Sequence, residues 1–245
     1  MNHVTLVTGA SRGIGAATAL RLGAAGHAVA VNYARDAAAA DSVVEAIGRA
    51  GGEALAVQAD VSSEADVLRM FEAVDRRWGR LTGLVNNAGV VDAATRVEAV
   101  TLARLERIFA VNVFGSFLCA REAVKRMQAA GGGAIVNVSS VAARLGSPNE
   151  YVDYASAKAA IDTFTRGLAL EVVARGIRVN AVRPGIVATE IHASGGQPDR
   201  VARLGPLVPM QRAGTADEVA AAIAWLLSDE ASYCTGAIID VSGGR

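Results

Sequence analysis

The chain is predicted to fold as an α/β protein on a single doubly wound, mainly parallel sheet. Short apolar runs alternate with longer helical patterns from one end of the 245 residues to the other. The runs are continuously apolar, which marks strands buried on both faces by crossover helices. A glycine cluster follows the first run directly, where such sheets turn from strand into helix. With 52% hydrophobic and 20% charged residues, the composition is that of a chain able to build a core, and disorder is excluded. One domain over 1–245 is expected, with no internal repeat and no low-complexity linker.

The elements follow in order. His3–Thr8 is an apolar run read as the first strand, and Gly13–Gly26 a helix closed by glycine. Ala28–Tyr33 is the second strand, followed by a helix over Asp36–Ala50. Glu53–Gln58 is the third strand, followed by a helix over Glu64–Gly79, and Leu84–Asn87 is the fourth strand. A long helical pattern covers Leu102–Ala130 with a break near Val111; Ala134–Val138 is a strand, Tyr154–Arg175 a helix and Ile177–Val182 a strand. The helix Ala216–Leu227 and the strand Ala237–Val241 complete about seven strands, the usual content of a doubly wound nucleotide-binding sheet. Only 186–215, rich in glycine and proline, is too long for an ordinary connection, and it is a candidate substrate lid.

Several function classes drop out. Formal net charge is zero with no block of like charge, so no nucleic-acid partner is expected. Cys119 and Cys234 match no metal spacing and are expected as buried or partly buried thiols. The segment Met1–Gly9 reads as a first strand rather than a signal peptide. No stretch reaches the ~18 apolar residues of a membrane span. A soluble cytoplasmic protein is the expectation.

The glycine cluster is Thr8-Gly9-Ala10-Ser11-Arg12-Gly13-Ile14-Gly15. Gly9 can turn the chain, Gly13 can admit a pyrophosphate, and Gly15 can let the helix pack on the strand. The helix N-terminus then offers free N–H groups and a positive dipole end. The spacing G-x-x-x-G-x-G has no G-K-[ST] ending, which argues against nucleotide triphosphate hydrolysis. Further along, Tyr154 and Lys158 are four apart in a helical pattern and share one face. A nearby ammonium favours the phenolate, so the tyrosine pKa is expected to fall and the hydroxyl to serve as acid and base. Ser140 leaves the strand Ala134–Val138, where its hydroxyl can bond a reacting oxygen, although Ser139 beside it is an alternative.

Thr8–Gly15, Asn86-Asn87-Ala88-Gly89 and Tyr154-Ala155-Ser156-Ala157-Lys158 together resemble the short-chain dehydrogenase/reductase family. The resemblance runs the length of the chain, through Pro184-Gly185 to Ile239–Gly244. It implies a Rossmann fold and hydride transfer between a nicotinamide cofactor and the hydroxyl or carbonyl group of a small substrate. It implies Asn112, Ser140, Tyr154 and Lys158 as the catalytic set, with Asn112 holding a water that relays protons to the lysine. An Asn bonding its own helix backbone is the plainer reading of Asn112. Gly9, Ser11, Arg12, Gly13, Ile14 and Gly15 are expected to bind the cofactor, and Asp60 and Val61 resemble the pair that contacts the adenine ring. Asp60 could instead cap the next helix, although Ser62 and Ser63 are better placed. Asn87, Ala88 and Gly89 would line the cofactor, Tyr154 and Lys158 would touch it, and Pro184, Gly185, Val187 and Thr189 would meet the nicotinamide end. Ser140 and Tyr154 are fourteen positions apart, one more than the family's usual spacing. No catalytic metal is expected, because Glu150, Asp153 and Glu190 form no spaced ligand set. His27 is expected at an exposed turn; His192 falls in the lid and is given no catalytic role.

Cofactor choice turns on the end of the second strand. NAD-preferring relatives carry an acid there that repels a 2′-phosphate. Here the strand ends Val31-Asn32-Tyr33-Ala34-Arg35, with no acid before Asp36. Arg12 and Arg35 can grip a phosphate, so NADP is favoured over NAD; under NAD, Asn32 and Tyr33 would serve the ribose hydroxyls. The chain is similar to the glucose dehydrogenase and 3-oxoacyl-carrier-protein reductase branch, and the uncharged helix end Gln128–Gly132 disfavours an acidic carrier protein. A non-catalytic cofactor-binding sensor is the alternative of another class, and the complete set of four argues against it. Apolar residues on more than one face of the long helices, among them Val113, Phe114, Phe117, Ile161, Phe164 and Leu168, together with the resemblance, imply a homotetramer.

Overall fold

In the computed structural model, which describes residues 3–245, the seven apolar runs pair as one parallel sheet in the order β3-β2-β1-β4-β5-β6-β7. The strands are β1 (Val4–Val7), β2 (Ala28–Tyr33), β3 (Glu53–Gln58), β4 (Gly83–Asn86), β5 (Gly133–Val138), β6 (Ile177–Pro184) and β7 (Ile238–Val241). Neighbours along a strand point to opposite faces, and both faces are buried. Leu6, Leu84 and Ile135 enter one core, and Val7, Val85 and Val136 enter the other. That double burial is why the strands read as unbroken apolar runs.

The helices fill the two layers. α1 (Gly13–Ala24), α2 (Ala37–Arg49) and α10 (Ala216–Leu227) bring Leu22, Ile47 and Ile223 to one face. α3 (Glu64–Trp78), α5 (Gly115–Ala129) and α7 (Val152–Val172) bring Phe71, Met127 and Val172 to the other. Three of the crossover helices start with a side-chain cap. Asp36 accepts from Ala39 N at 3.0 Å, Ser63 from Asp66 N at 3.3 Å, and Thr215 forms a reciprocal box with Glu218. α1 and α7 lack such a bond, with Arg12 and Tyr151 at their caps, and the first turn of α1 also holds no acid.

The remaining helices are short: α4 (Leu102–Phe109), α6 (Ala142–Leu145), α8 (Ile191–Ser194) and α9 (Arg200–Leu204). The expected single pattern Leu102–Ala130 is α4 and α5 joined by a π-helical turn, Ala110–Phe114, so the break near Val111 is present. The helix expected over Tyr154–Arg175 starts two residues earlier and ends in a 3-10 turn, Val173–Arg175. α6, α8 and α9 carry too few turns to show a period. No helix among the described residues is long and apolar enough to cross a membrane. Met1 and Asn2, part of the segment read as leading into the first strand, lie outside the described residues.

Strand order reverses between β1 and β4, which are hydrogen-bonded neighbours with Thr5 opposite Gly83. Beyond the carboxyl ends of these two strands the loops diverge and leave a crevice, the usual ligand site of doubly wound sheets.

Candidate active site

The floor of the crevice is the glycine loop, and its shape is imposed by backbone geometry. Gly9 and Gly13 have φ of 61° and 56°, the left-handed region that costs other residues about 1–2 kcal/mol. A Cβ on Gly9 would lie 2.9 Å from Ala88 Cα, and one on Gly15 would lie 2.5 Å from Asn87 Nδ2 and against the Gly9 carbonyl. Gly15 therefore makes room for the loop itself and for Asn87, rather than for a strand. Asn87 Nδ2 donates to Thr8 O at 2.8 Å and Gly9 O at 3.0 Å, tying the loop to β4.

Asn32, expected near the ribose, is 1% exposed and bonded into the scaffold. Its Oδ1 accepts from Gly9 N at 3.1 Å, and its Nδ2 donates to Val57 O and Ala59 O at 3.2 and 3.1 Å. Its amide fastens the loop to β2 and β3, because a buried polar group must find partners. Tyr33 is half-buried, while Arg12 and Arg35 are exposed and form no ion pair among the described residues. Asp60 is exposed and accepts from Ser62 N and Oγ at 2.9 and 2.7 Å, leaving Ser63 to cap α3. Val61 is buried against Gly115, where any Cβ would come within 2.7 Å of Val61 Cγ2. Ser11 is half-buried in the loop, and Ile14 reaches the wall of the cleft.

On the other side of the crevice, α7 carries Tyr154 and Lys158 on one face. Lys158 is buried, donates from Nζ to Val138 O at 2.8 Å, and lies 5.6 Å from the centre of the Tyr154 ring. Burial lowers its pKa to about 8. Burial also pushes the Tyr154 hydroxyl up to about 12, although a hydrogen bond with Ser140 pulls the other way. The expected fall of the tyrosine pKa is thus reversed: desolvation of the phenolate outweighs the cation, which is directed at the Val138 carbonyl. Ser139 and Ser140 part at the strand exit. Ser139 is buried and donates to Lys158 O at 3.1 Å, whereas Ser140 accepts from Ala142 N at 3.1 Å beside the tyrosine hydroxyl.

Asn112 lies fully buried in the π-helical turn, a feature often found at functional sites. Its Nδ2 donates to Ile108 O and Val90 O, both at 2.9 Å, and its Oδ1 accepts from Val90 N at 3.3 Å. The bond to its own helix and the bonds to the loop after β4 are both made. A Cβ on Gly89 would lie 2.8 Å from Asn112 Oδ1 and 3.4 Å from Lys158 Nζ, so these three residues converge.

The cleft is completed by Pro184 at the end of β6, by Gly185, Ile186, Val187 and Thr189 after it, and by His192. His192 bonds Val187 O through Nε2 at 3.1 Å, and burial together with Arg200 holds its pKa below the usual value. Between Ser140 and Tyr154 the chain forms α6 and then a loop that takes left-handed φ at Gly146, Ser147 (44°) and Asn149 (64°), strain of a kind that gathers at functional sites.

Sequence reasoning missed Tyr151, Arg200 and Arg245 on the cleft wall. Arg200 pairs with Glu150 across fifty positions, and Gln197 Nε2 donates to the Tyr151 hydroxyl at 2.6 Å, contacts that no spacing rule announces. Asp153 is likewise an ion-pair partner, of Arg104 at 2.6 Å. Glu190 is exposed, near Gly13. His27 is half-buried rather than exposed: it stacks on His3 and bonds Thr5 Oγ1 at 2.9 Å, which burial accompanies with a pKa near 4. It sits at the amino end of β2, the opposite edge from the cleft. Among the described residues no three His, Cys, Asp or Glu gather as metal ligands.

A dinucleotide fits this crevice. The loop rejects side chains at Gly9 and Gly15, and α1 keeps its N-terminal N–H groups unfilled by any cap or acid. The family described as enoyl-(acyl carrier protein) reductase matches residues 9–245. The chain belongs to the short-chain dehydrogenase/reductase family. As a member it is an oxidoreductase that moves a hydride between a nicotinamide cofactor and a hydroxyl or carbonyl group. It is 58% identical over 245 residues to an uncharacterized oxidoreductase of Escherichia coli (strain K12), covering 99% of each chain. It is 39% identical to glucose 1-dehydrogenase 2 of Bacillus subtilis (strain 168), over 98% of this chain and 93% of that one. Its fold superposes on a 3-ketoacyl-(acyl-carrier-protein) reductase of Brucella melitensis complexed with NADH, with a TM-score of 0.92, 35% identity, and coverage of 99% and 98% of the two chains.

Proposed function

We propose that this short-chain dehydrogenase/reductase reduces and oxidises a small carbonyl/alcohol pair with NADP as preferred cofactor, Tyr154 moving the proton. The observation that carries this is the meeting of Ser140, Tyr154 and Lys158 in one cleft beside Gly89 and Asn112. When bound, the nicotinamide ring supplies the hydride in one direction and takes it in the other.

The chain does the rest. The Ser140 hydroxyl donates to the substrate oxygen and stabilises charge developing there. The Tyr154 hydroxyl, raised to about 12, carries its proton at neutral pH and is in the form that reduction needs. It gives that proton to the oxygen as the carbonyl becomes an alcohol; in oxidation it takes the proton back. Lys158 stabilises the phenolate left behind, and Asn112 holds the turn and the Val90 backbone where a relay water would bind. Gly9, Ser11, Arg12, Gly13, Ile14 and Gly15 would cradle the pyrophosphate, with Asn32 and Asn87 holding the loop in shape. Asp60 and Val61 would flank the adenine, Asn87–Gly89 the ribose nearest β4, and Pro184, Gly185, Val187 and Thr189 the nicotinamide. Residues 186–215 act as the lid, and Glu150–Arg200 and Tyr151–Gln197 hold it down. Four copies form the working unit. An enzyme drawing on a dissociable dinucleotide pool works where that pool is, which favours the cytoplasm.

Tyr154→Phe tests the assignment. On any substrate found in a panel of carbonyls and alcohols, kcat should fall at least ~10²-fold. Cofactor binding, followed by nicotinamide fluorescence, should persist. Near wild-type turnover would remove Tyr154 from the mechanism. Cofactor binding with no turnover anywhere in the panel would favour a sensor.

A further inference from the structure

We infer that the substrate carries a carboxylate on an apolar body, and that the guanidinium of Arg245 receives it. The inference rests on the hydride-transfer reading above and names its substrate class. Around Tyr154 the cleft is walled by Val91, Val141, Leu145, Ile186 and Ile191, which suit a hydrocarbon body. Two arginines, Arg200 and Arg245, line the same cleft, and among the described residues no aspartate or glutamate does.

The two arginines differ. Arg200 is buried, and its Nη1 and Nη2 donate to Glu150 Oε1 and Oε2 at 3.0 and 2.7 Å. Nη1 also donates to Gln197 Oε1 at 3.0 Å, and the guanidinium lies 5.1 Å over the Tyr151 ring. Its charge is matched by Glu150, and both its Nη atoms are engaged. Arg245 is exposed, and its guanidinium makes no ion pair or hydrogen bond with any described residue. It lies close enough to Glu150 to help hold that carboxyl below its usual range, yet both Glu150 oxygens are on Arg200. His192, on the same wall, is held toward its neutral form and bonded to Val187 O. Beside the Lys158 ammonium, which is bonded to Val138 O, the cleft therefore offers one guanidinium with no partner, an apolar surface and a hydroxyl pair for the reacting oxygen. A carboxylate answers a lone guanidinium fork with two parallel charge-assisted hydrogen bonds.

The test uses ketones in matched pairs, each as free acid and methyl ester: 3-oxocyclohexanecarboxylate, 4-oxocyclohexanecarboxylate and 5-oxohexanoate. A panel of neutral ketones and aldehydes is run beside them on the full-length enzyme with NADPH and with NADH. In the best pair, kcat/KM should be about tenfold or more higher for the acid than for the ester. That ratio should approach one in Arg245→Ala, drop below one in Arg245→Glu, and stay above one but below wild type in Arg245→Lys. An acid-to-ester ratio near or below one in every wild-type pair, or a ratio unmoved by Arg245→Glu, overturns the inference and leaves hydride transfer standing. Turnover of the neutral panel with none of the acids does the same. If nothing is turned over, neutral or acidic, the hydride-transfer reading itself fails.

Discussion

Asn32 shows how much a single side chain can be committed by burial. An amide at the end of a strand could face a ribose, but here it has no solvent to compete and three backbone partners within 3.2 Å. With Asn32 committed to the scaffold, the NADP reading proposed above rests on Tyr33, Arg12 and Arg35. The only acid close by in sequence, Asp36, is occupied as the cap of α2. Two exposed arginines without carboxylate partners beside a phosphate loop are suited to a 2′-phosphate, which an acid in this corner would repel. The wild type should therefore show a higher kcat/KM with NADP than with NAD. Arg12→Ala or Arg35→Ala should erase that preference, a change of about tenfold, or ~1.4 kcal/mol, while the NAD rate holds. A wild type preferring NAD tenfold (about 1.4 kcal/mol the other way) would mean that Tyr33 serves the ribose hydroxyls and the arginines read no phosphate.

At the scale of an element, the glycine loop is specified by clearance as much as by φ. Gly15 lies on α1 with ordinary dihedrals, yet any Cβ there meets backbone and the Asn87 amide that shapes the loop. Gly48 on α2 faces open space. The same substitution should act with opposite signs. Gly48→Ala should raise stability by about 0.5–1 kcal/mol, since alanine loses less backbone freedom in a helix. Gly15→Ala should lower it by about 1–3 kcal/mol through overpacking, and cofactor affinity should fall with it. Urea midpoints of both variants and a fluorescence titration of NADPH read these effects. A Gly15→Ala protein as stable as wild type, binding cofactor normally, would show that the loop relaxes without loss.

At the scale of the whole molecule, the long helices divide their apolar residues between two destinations. Val113 and Ile161 are turned into the protein's own core. Phe114 and Phe117 stay 56% and 47% exposed, Leu170 on α7 is 80% exposed, and Phe117 stacks on Phe164 at 3.8 Å. Exposed aromatic surface on two adjacent helices suits the tetramer proposed above, because closed symmetry lets two such faces cover each other. Light scattering at micromolar concentration should give the mass of four chains, and Phe117→Glu should lower it. A wild-type monomer would leave this surface without that role.

The sheet, its parallel sense and the glycine loop were legible in the sequence because strand burial and turn geometry are set by neighbours along the chain. Val29–Val31 reads as a strand buried on both faces from its place in the strand–helix alternation, and Tyr154 and Lys158 share a face by helical spacing alone. Long-range contact decided the rest. Ser139 and Ser140 separate only when β5 meets α7 and one hydroxyl finds the Lys158 carbonyl. The direction of the Tyr154 pKa follows from desolvation, which depends on everything packed around the ring. The Glu150–Arg200 pair and the unmatched Arg245 arise where three distant segments converge on one cleft, and a chain read in order carries no signal of that convergence.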